Sequence, residues 1–350
     1  MERIKVGLLG ATGAVGQRFV QLLENHPWFQ IKELAASENS AGKRYGDICN
    51  WKLSTPIPDV IKNLIVKNSM PDLSCQIVFS GLNVKVAGEI EMEFAKAGYP
   101  VISNARNYRM EPDVPLLIPE VNPDHVQLIE AQKINRNFKS GFIVTNPNCS
   151  TIPLAMVLAP LDKKFGVEKV LVTTLQAISG AGYPGLASLD ILDNVIPFIK
   201  GEEDKIETET IKILGQLNNN KVTPASIVIS AQVNRVPVLD GHLMSVSVKL
   251  NNDFEIDEIK QLLAGYSAVP QQINLPSAPD KPIIVKNEND RPQPRLDRYA
   301  GNGMSIVVGR IRHCRVLDLK FSILGHNTIR GAAGAALLNA ELLKTLGFFS

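Results

Sequence analysis

No apolar run in this chain of 350 residues approaches the length of a membrane span, which excludes a membrane-crossing helix. A surplus of one charge is also missing. The 37 Lys and Arg residues nearly balance the 35 Asp and Glu residues, and a net charge of +2 gives no footing for a nucleic acid or an acidic membrane. Cysteine is scarce: Cys49, Cys75, Cys149 and Cys314 lie far apart without a CxxC pair, which argues against a zinc site or a disulfide framework. No signal peptide precedes the first strand, where Met1-Glu2-Arg3 leads straight in, so a reducing cytoplasm is expected. Internal repeats and low-complexity tails are absent as well. What remains is an ordinary globular composition, 45% apolar and 21% charged, long enough for two domains with sizeable cores.

The amino-terminal half alternates strand and helix patterns. Ile4 to Leu9 reads as a buried parallel strand, and Arg18 to Leu23 carries apolar residues at helical spacing. Between them Gly10, Gly13 and Gly16 form a GxxGxxG variant of the nucleotide-binding turn, with Thr12, Ala14 and Val15 completing the loop; its glycines let a pyrophosphate approach the helix start. A second strand, Ile31 to Ala36, ends at Ser37. An acid at that point would hold the ribose hydroxyls of NAD, whereas Ser37, with Ser40, Lys43 and Arg44 after it, favours the extra phosphate of NADP, against a reservation from Glu38. Strands at Gln76 to Ser80 and Pro100 to Ser103 and helices at Lys85 to Ala97 and Pro123 to Gln132 continue the alternation, which implies a parallel sheet covered on both faces. Ser80 lies at a strand's carboxyl end, where such sheets bind nucleotides.

Beyond about residue 165 longer alternating strands appear, at Ser226 to Val233, Met244 to Leu250, Met304 to Arg312 and Leu317 to Leu324. They point to an α+β domain with a mostly antiparallel sheet. The fold expected is therefore α/β: a Rossmann-type dinucleotide-binding domain over 1–148, completed by a returning helix in 326–350, and a catalytic and oligomerisation domain over 149–325. Asn327 stands before that last helix as a cap or a cofactor contact.

Chemistry concentrates at three places. Cys149 follows the apolar run Gly141 to Thr145 and precedes the helical pattern Ile152 to Leu161; at a helix start its thiolate gains from unpaired N–H groups and the dipole, so it reads as a nucleophile and as the thiol alkylated first. Gln176 ends the run Val170 to Leu175 ahead of Ser179, Gly180 and Gly182, an amide able to hold a carbonyl or thiol beside a glycine-rich turn. Arg235 and His242 bracket a short extended segment, supplying a carboxylate clamp and a proton carrier.

With the glycine turn, Asn146-Pro147-Asn148-Cys149-Ser150-Thr151, Gln176-Ala177-Ile178-Ser179-Gly180-Ala181-Gly182 and Arg235-Val236-Pro237-Val238-Leu239-Asp240-Gly241-His242 in one order, the chain resembles the aspartate-semialdehyde dehydrogenases, in particular their archaeal and fungal branch. That resemblance implies NADP-dependent reduction of aspartyl phosphate to aspartate semialdehyde with release of phosphate, or the reverse, by a homodimer or homotetramer. It further implies Cys149 as the residue that carries an acyl thioester, His242 as the acid/base that takes its proton, and Gln176 as the residue positioning thiol and acyl group. Arg235 would hold the substrate α-carboxylate and Glu209 its ammonium, Lys212 and Arg109 would hold phosphate with Arg106 as a lesser partner, and Asn148 would contact substrate. Ser179, Gly180, Gly182 and Asn327 would face the cofactor, and no metal is implied.

The covalent route also follows from chemistry, since a carboxylate must be activated and passed to a thioester before it accepts hydride. Helix-start N–H groups near Cys149 could serve the oxyanion. Read without the resemblance, Glu209 and Lys212 would be a solvated i, i+3 ion pair in the helical run Asp204 to Leu217. Rival readings are malonyl-CoA reductase on the same scaffold, N-acetyl-glutamyl-phosphate reductase, and a catalytically silent NADP-binding regulator, against which the joint presence of Cys149, Gln176, Arg235 and His242 speaks. Ser37→Asp is expected to shift the ratio of catalytic efficiencies from NADP toward NAD, because a carboxylate repels the 2′-phosphate; an unchanged ratio would assign the discrimination to Lys43, Arg44 or a more distant residue.

Overall fold

The computed structural model describes residues 2–349; Met1 and Ser350, at the outer limits of the expected domains, lie outside the described residues. Six short strands, β1 (Ile4–Leu9), β2 (Phe29–Ala36), β3 (Val66–Asn68), β4 (Ile77–Ser80), β5 (Pro100–Ser103) and β6 (Phe142–Thr145), pair in parallel in the order β3-β2-β1-β4-β5-β6. β4, β5 and β6 are buried at every position, as expected of strands covered on both faces. Strand order reverses between β1 and β4, which opens a crevice beyond their carboxyl ends. Helix α1 (Ala14–Leu23) leaves the glycine turn there, and α2 (Val84–Lys96) follows β4. Gly16 permits this approach: a Cβ on it would lie 2.4 Å from the Gly10 carbonyl oxygen.

The helix expected over Pro123 to Gln132 is instead a 3-10 turn, Pro123–Gln127, running into α3 (Leu128–Arg136). Asn122 at its entry accepts from the Ile118 N–H and donates to the Leu116 carbonyl and to His125, which holds the chain in the tighter turn.

The second sheet joins β7 (Val167–Gln176), β10 (Val228–Arg235), β11 (His242–Leu250), β12 (Ile283–Lys286), β13 (Ile306–His313) and β14 (Leu319–Gly325), while β8 (Gln216–Asn218) and β9 (Lys221–Thr223) make a separate hairpin. Three of its five pairings are antiparallel and two parallel, so the sheet is mixed with an antiparallel majority. One face carries α4 (Thr151–Phe165), α5 (Glu202–Ile213) and α6 (Ile256–Ala264), whose Leu154, Ile206 and Ile259 pack into one core with Val170, Val172 and Val246. On the other face alternate residues such as Leu171 and Val228 are exposed.

The chain returns to the first sheet through α7 (Gly334–Thr345), whose Leu337, Leu338, Leu342 and Leu343 share the core of Val6 and Leu8. The continuous helix expected from Thr328 starts instead as a π-turn, Ile329–Ala333. This widened turn presses Gly331 against the nucleophile candidate, where a Cβ would lie 2.7 Å from that of Cys149. It also carries Arg330, fully buried and paired with Glu120 at 2.6 Å, while Nε and Nη1 of Arg330 have no partner. Glu120→Gln leaves a guanidinium buried and uncompensated, and urea unfolding should show a loss of about 3–5 kcal/mol; a loss below about 1 kcal/mol would mean that the pair is dispensable.

Candidate active site

Strand register assembles the site. Parallel pairing sets Arg235, the last residue of β10, opposite Gln176, the last of β7, and the antiparallel β11 begins with His242 at the same edge. Across from them β6 ends, Asn146 donates to the Asn104 side chain and the Ala332 carbonyl, and the chain turns into α4. Asn148 accepts from the Ser150 and Thr151 N–H groups, so it caps the start of α4. Its own N–H donates to Glu209 at 2.6 Å and its amide to Glu202 at 2.7 Å. These bonds fix Cys149, whose Sγ lies 3.2 Å from His242 Nε2.

The other ring nitrogen is equally committed. His242 Nδ1 accepts from the Ala177 N–H at 3.1 Å, and Arg235 donates to the Ala177 carbonyl at 2.7 Å. Gly180 leaves room for the group, since a Cβ there would meet Arg235 Nη1 at 2.8 Å and His242 Nε2 at 3.3 Å. Burial, opposed only in part by Glu202, pushes the His242 imidazole down to about 3. Cys149 keeps some accessible surface, yet protein crowds its sulfur; burial first, then Glu202, pushes the thiol up to about 12 despite Arg109, Arg235 and Lys205. The expected low-pKa thiolate is therefore corrected: here both groups rest neutral, because desolvation outweighs the helix start, and rapid preferential alkylation of Cys149 no longer follows.

Several expected ligands are otherwise engaged. Arg109 donates to Glu209 at 2.9 Å and to the Asn104 carbonyl at 2.8 Å, so the two groups assigned to phosphate and ammonium pair with each other. Lys212 is not a solvated ion-pair partner but buried, its ammonium donating to the carbonyls of Arg109, Glu111 and Val114, and burial lowers it to about 8. In this arrangement it has no donor left for phosphate, while Asn148 gives its side-chain oxygen to the Ser150 and Thr151 N–H groups and one amide N–H to Glu202. Arg106 stays exposed.

A second cleft lies at the crevice of the parallel sheet, with a volume of about 840 Å³. Gly10, Thr12, Gly13, Ala14, Val15, Ser37 and Gly182 line it as expected. Gly10 sits at φ +75°, and a Cβ there would lie 2.8 Å from the Gly81 carbonyl oxygen. Ser80, Ser40 and Lys43 are not on its wall: Ser80 is wholly buried beneath it and Lys43 donates to the Asn39 carbonyl. Asn327 caps no helix; its side chain accepts from the Gly241 N–H and donates to Ser179, fastening the glycine turn to the loop before His242.

Two residues escaped the sequence reading. Glu202 heads α5 among acids typical of a helix start, so nothing marks it as a site group, yet it accepts from Asn148, Gln176 and Lys205. Burial alone would raise its carboxyl, but Lys205 and Asn148 hold it below the usual range. Tyr183 lines the cleft, accepts from Asn50, and lies under Lys52 at 4.5 Å; its place after Gly182 was the available signal.

Profiles described as the NAD binding domain and the dimerisation domain of semialdehyde dehydrogenase match residues 5–129 and 158–330. The aspartate-semialdehyde dehydrogenase of Archaeoglobus fulgidus is 54% identical over 342 residues, 97% of this chain and 98% of its own length. This chain belongs to the aspartate-semialdehyde dehydrogenase family. The family extends to Saccharomyces cerevisiae, at 48% identity over 96% of both chains. Among solved structures, the Candida albicans family member, determined with NADP, superposes with a TM-score of 0.91 at 45% identity, covering 99% of this chain and 100% of its own. The Vibrio cholerae enzyme II, complexed with ASA, gives 0.77 at 27% identity over 99% of both.

Glu202→Gln removes the negative charge that raises the thiol, so iodoacetamide should modify Cys149 roughly tenfold faster at one fixed pH; a slower or equal rate would remove Glu202 from control of the sulfur.

Proposed function

We propose that the protein catalyses the NADP-linked interconversion of aspartyl phosphate with aspartate semialdehyde and phosphate, as a step in aspartate-family amino-acid biosynthesis. The observation that carries this reading is the Cys149–His242 contact at 3.2 Å, set where Gln176 and Arg235 converge and beside a nucleotide cleft. Cys149 attacks the acyl carbon and holds the acyl group as a thioester. His242 manages the hydrogen bond and proton at that sulfur. Gln176, within 3.3 Å of Glu202, is tethered to orient the acyl group, and Arg235 presents a guanidinium for the α-carboxylate.

Glu209 and Arg109 neutralise each other at rest. A substrate bringing an ammonium and a phosphate can replace each partner of that pair with an opposite charge, so binding need not leave either group unpaired. The glycine turn, with its uncapped helix start and the close approach at Gly10, fits a pyrophosphate, and Ser37 fits the 2′-phosphate. When bound, the nicotinamide cofactor supplies or accepts the hydride.

The first domain spans 1–148 together with the returning helix, and 149–325 forms the catalytic and oligomerisation domain. A homodimer formed over the uncovered face of the second sheet, where Leu171 and Val228 are exposed, accounts for apolar side chains that no helix covers. No helix among the described residues is long and apolar enough to cross a membrane, and the cytoplasm is the compartment proposed.

Purified protein mixed with aspartate semialdehyde, phosphate and NADP should generate NADPH absorbance only when all three are present. Arg235→Lys keeps the charge but loses the bidentate fork, and should lower kcat/KM for aspartate semialdehyde by roughly tenfold or more. Efficient use of malonyl-CoA without phosphate-dependent oxidation of aspartate semialdehyde would replace this reading with the rival reductase.

A further inference from the structure

We propose that Glu91 is a positioning residue: from helix α2, which also lines the nucleotide cleft, it fixes through Ser103 the loop that presents Arg106 and Arg109 to the phosphate of the substrate. The inference deepens the proposed function and rests on that reading for the identity of the anion. Glu91 is wholly out of water, on a helix whose other buried side chains, Ala87, Phe94 and Ala95, are apolar. An apolar side chain would sit there at no cost, whereas a buried carboxyl must be matched by partners. Packing alone gives no reason for an acid.

Its partners lead to the arginine loop. Ser103, the last residue of β5, donates its hydroxyl proton to Glu91 Oε1 at 2.7 Å and accepts the Ala105 N–H at 3.0 Å. A serine hydroxyl has a single proton, so an acceptor at Glu91 turns the Oγ lone pairs toward Ala105 and sets the direction in which the chain leaves the sheet. Asn104, between the two, donates its N–H and its amide to the Ser80 carbonyl at 3.0 and 3.1 Å, and its own carbonyl accepts from Arg109 at 2.8 Å. Asn107 and Tyr108 then donate to the carbonyls of Val84 and Gly88 on α2. The approach is close: a Cβ on Gly88 would lie 2.9 Å from Asn107 Nδ2. Of the α2 residues that hold the loop, Glu91 is the one that does so by its side chain, and it is fully buried.

Charge acts in the same sense. Burial pushes the Glu91 carboxyl up to about 7, against the Ser80 and Ser103 hydroxyls and the charge of Arg109. Among the described residues, Glu91 Oε2 and Arg109 Nε are both buried without a hydrogen-bond partner. Arg109 therefore answers to two carboxyls, Glu209 by direct contact at 2.9 Å and Glu91 through space. Asn83, Val86 and Ile90, at the start of α2 and along it, form part of the cleft wall, so one helix sets the place of both the cofactor and the phosphate ligands.

Glu91→Leu removes the acceptor, Ser103→Ala removes the relay with a smaller change in volume, and Glu91→Gln keeps an oxygen where Ser103 needs it. In the oxidation of aspartate semialdehyde, Glu91→Leu and Ser103→Ala should each raise the KM for inorganic phosphate by about tenfold, with the KM for NADP and for the semialdehyde changed far less. Glu91→Gln should restore most of the difference. Phenylglyoxal modification mapped by mass spectrometry reads the same loop without turnover: Arg109 should react severalfold faster in the first two variants, with the exposed Arg106 as the reference. An unchanged phosphate KM or an unchanged labelling ratio in Ser103→Ala would overturn the proposal, and that variant decides the matter if Glu91→Leu fails to fold. A proportional rise in all three KM values would overturn it as well, because Glu91 would then serve packing alone. Faster labelling of Arg109 in the variants of a protein whose wild type shows no phosphate-dependent oxidation of aspartate semialdehyde would instead sink the proposed function and leave Glu91 as the anchor of the arginine loop.

Discussion

The pairing of β7 with a parallel neighbour on one side and an antiparallel one on the other is the constraint on which the site depends. Because β10 runs with β7, both deliver their last residues, Arg235 and Gln176, to the same edge; because β11 runs against β7, it delivers its first, His242, there too. A slip of one residue in either pairing would turn the corresponding side chain to the opposite face of the sheet. The hydrophobic alternation that buries Val170, Val172, Val246 and Val248 against the covering helices therefore also sets the geometry of the candidate site. Packing and function share one register, and the core supplies the energy that holds the polar groups in place.

At and around this edge the chain places a cluster of buried charge. Glu202, Glu209, Lys212, Arg109 and Arg235 are all nearly or wholly out of water. Removing charge from water costs several kcal/mol per group unless partners replace the lost hydration. Each of the five has one: Glu209 holds Arg109 and the Asn148 N–H, Lys212 holds three carbonyls, Glu202 holds Lys205, and Arg235 holds the Ala177 carbonyl. Asn148 touches both Glu202 and Glu209 and caps α4, so it ties the two acids to the turn that bears Cys149. Its contribution here is to position that turn.

Legibility in the sequence followed the range of the interactions involved. The glycine turn, the parallel strands and the returning helix rest on local spacing and hydrophobic period, and the wall of the cleft from Gly10 to Val15 was readable for that reason. Cys149, Gln176, Arg235 and His242 were visible because each sits at a strand end or turn, where a polar residue interrupts an apolar run. Glu202 was not, because an acid in the first turn of a helix is ordinary and only its contact with Asn148, 54 positions earlier, gives it a role. The fate of Lys212 was equally hidden: three backbone carbonyls about 100 positions away bind it, and no side-chain pattern encodes carbonyl placement. The protonation of Cys149 was misjudged since a helix start is a local feature, whereas the burial that overrides it is a property of the assembled domains.

That burial has a functional logic of its own. Burial that pushes the thiol up to about 12 and the neighbouring imidazole down to about 3 opposes a thiolate–imidazolium pair, and a neutral thiol is a poor target for oxidants and stray electrophiles. Nucleophilicity then depends on the charged groups that protein packing sets around the sulfur. Arg109 is the first of the cations opposing the rise of the thiol, and Glu209 holds its guanidinium at 2.9 Å, so this buried ion pair fixes the position of the charge that acts on the sulfur.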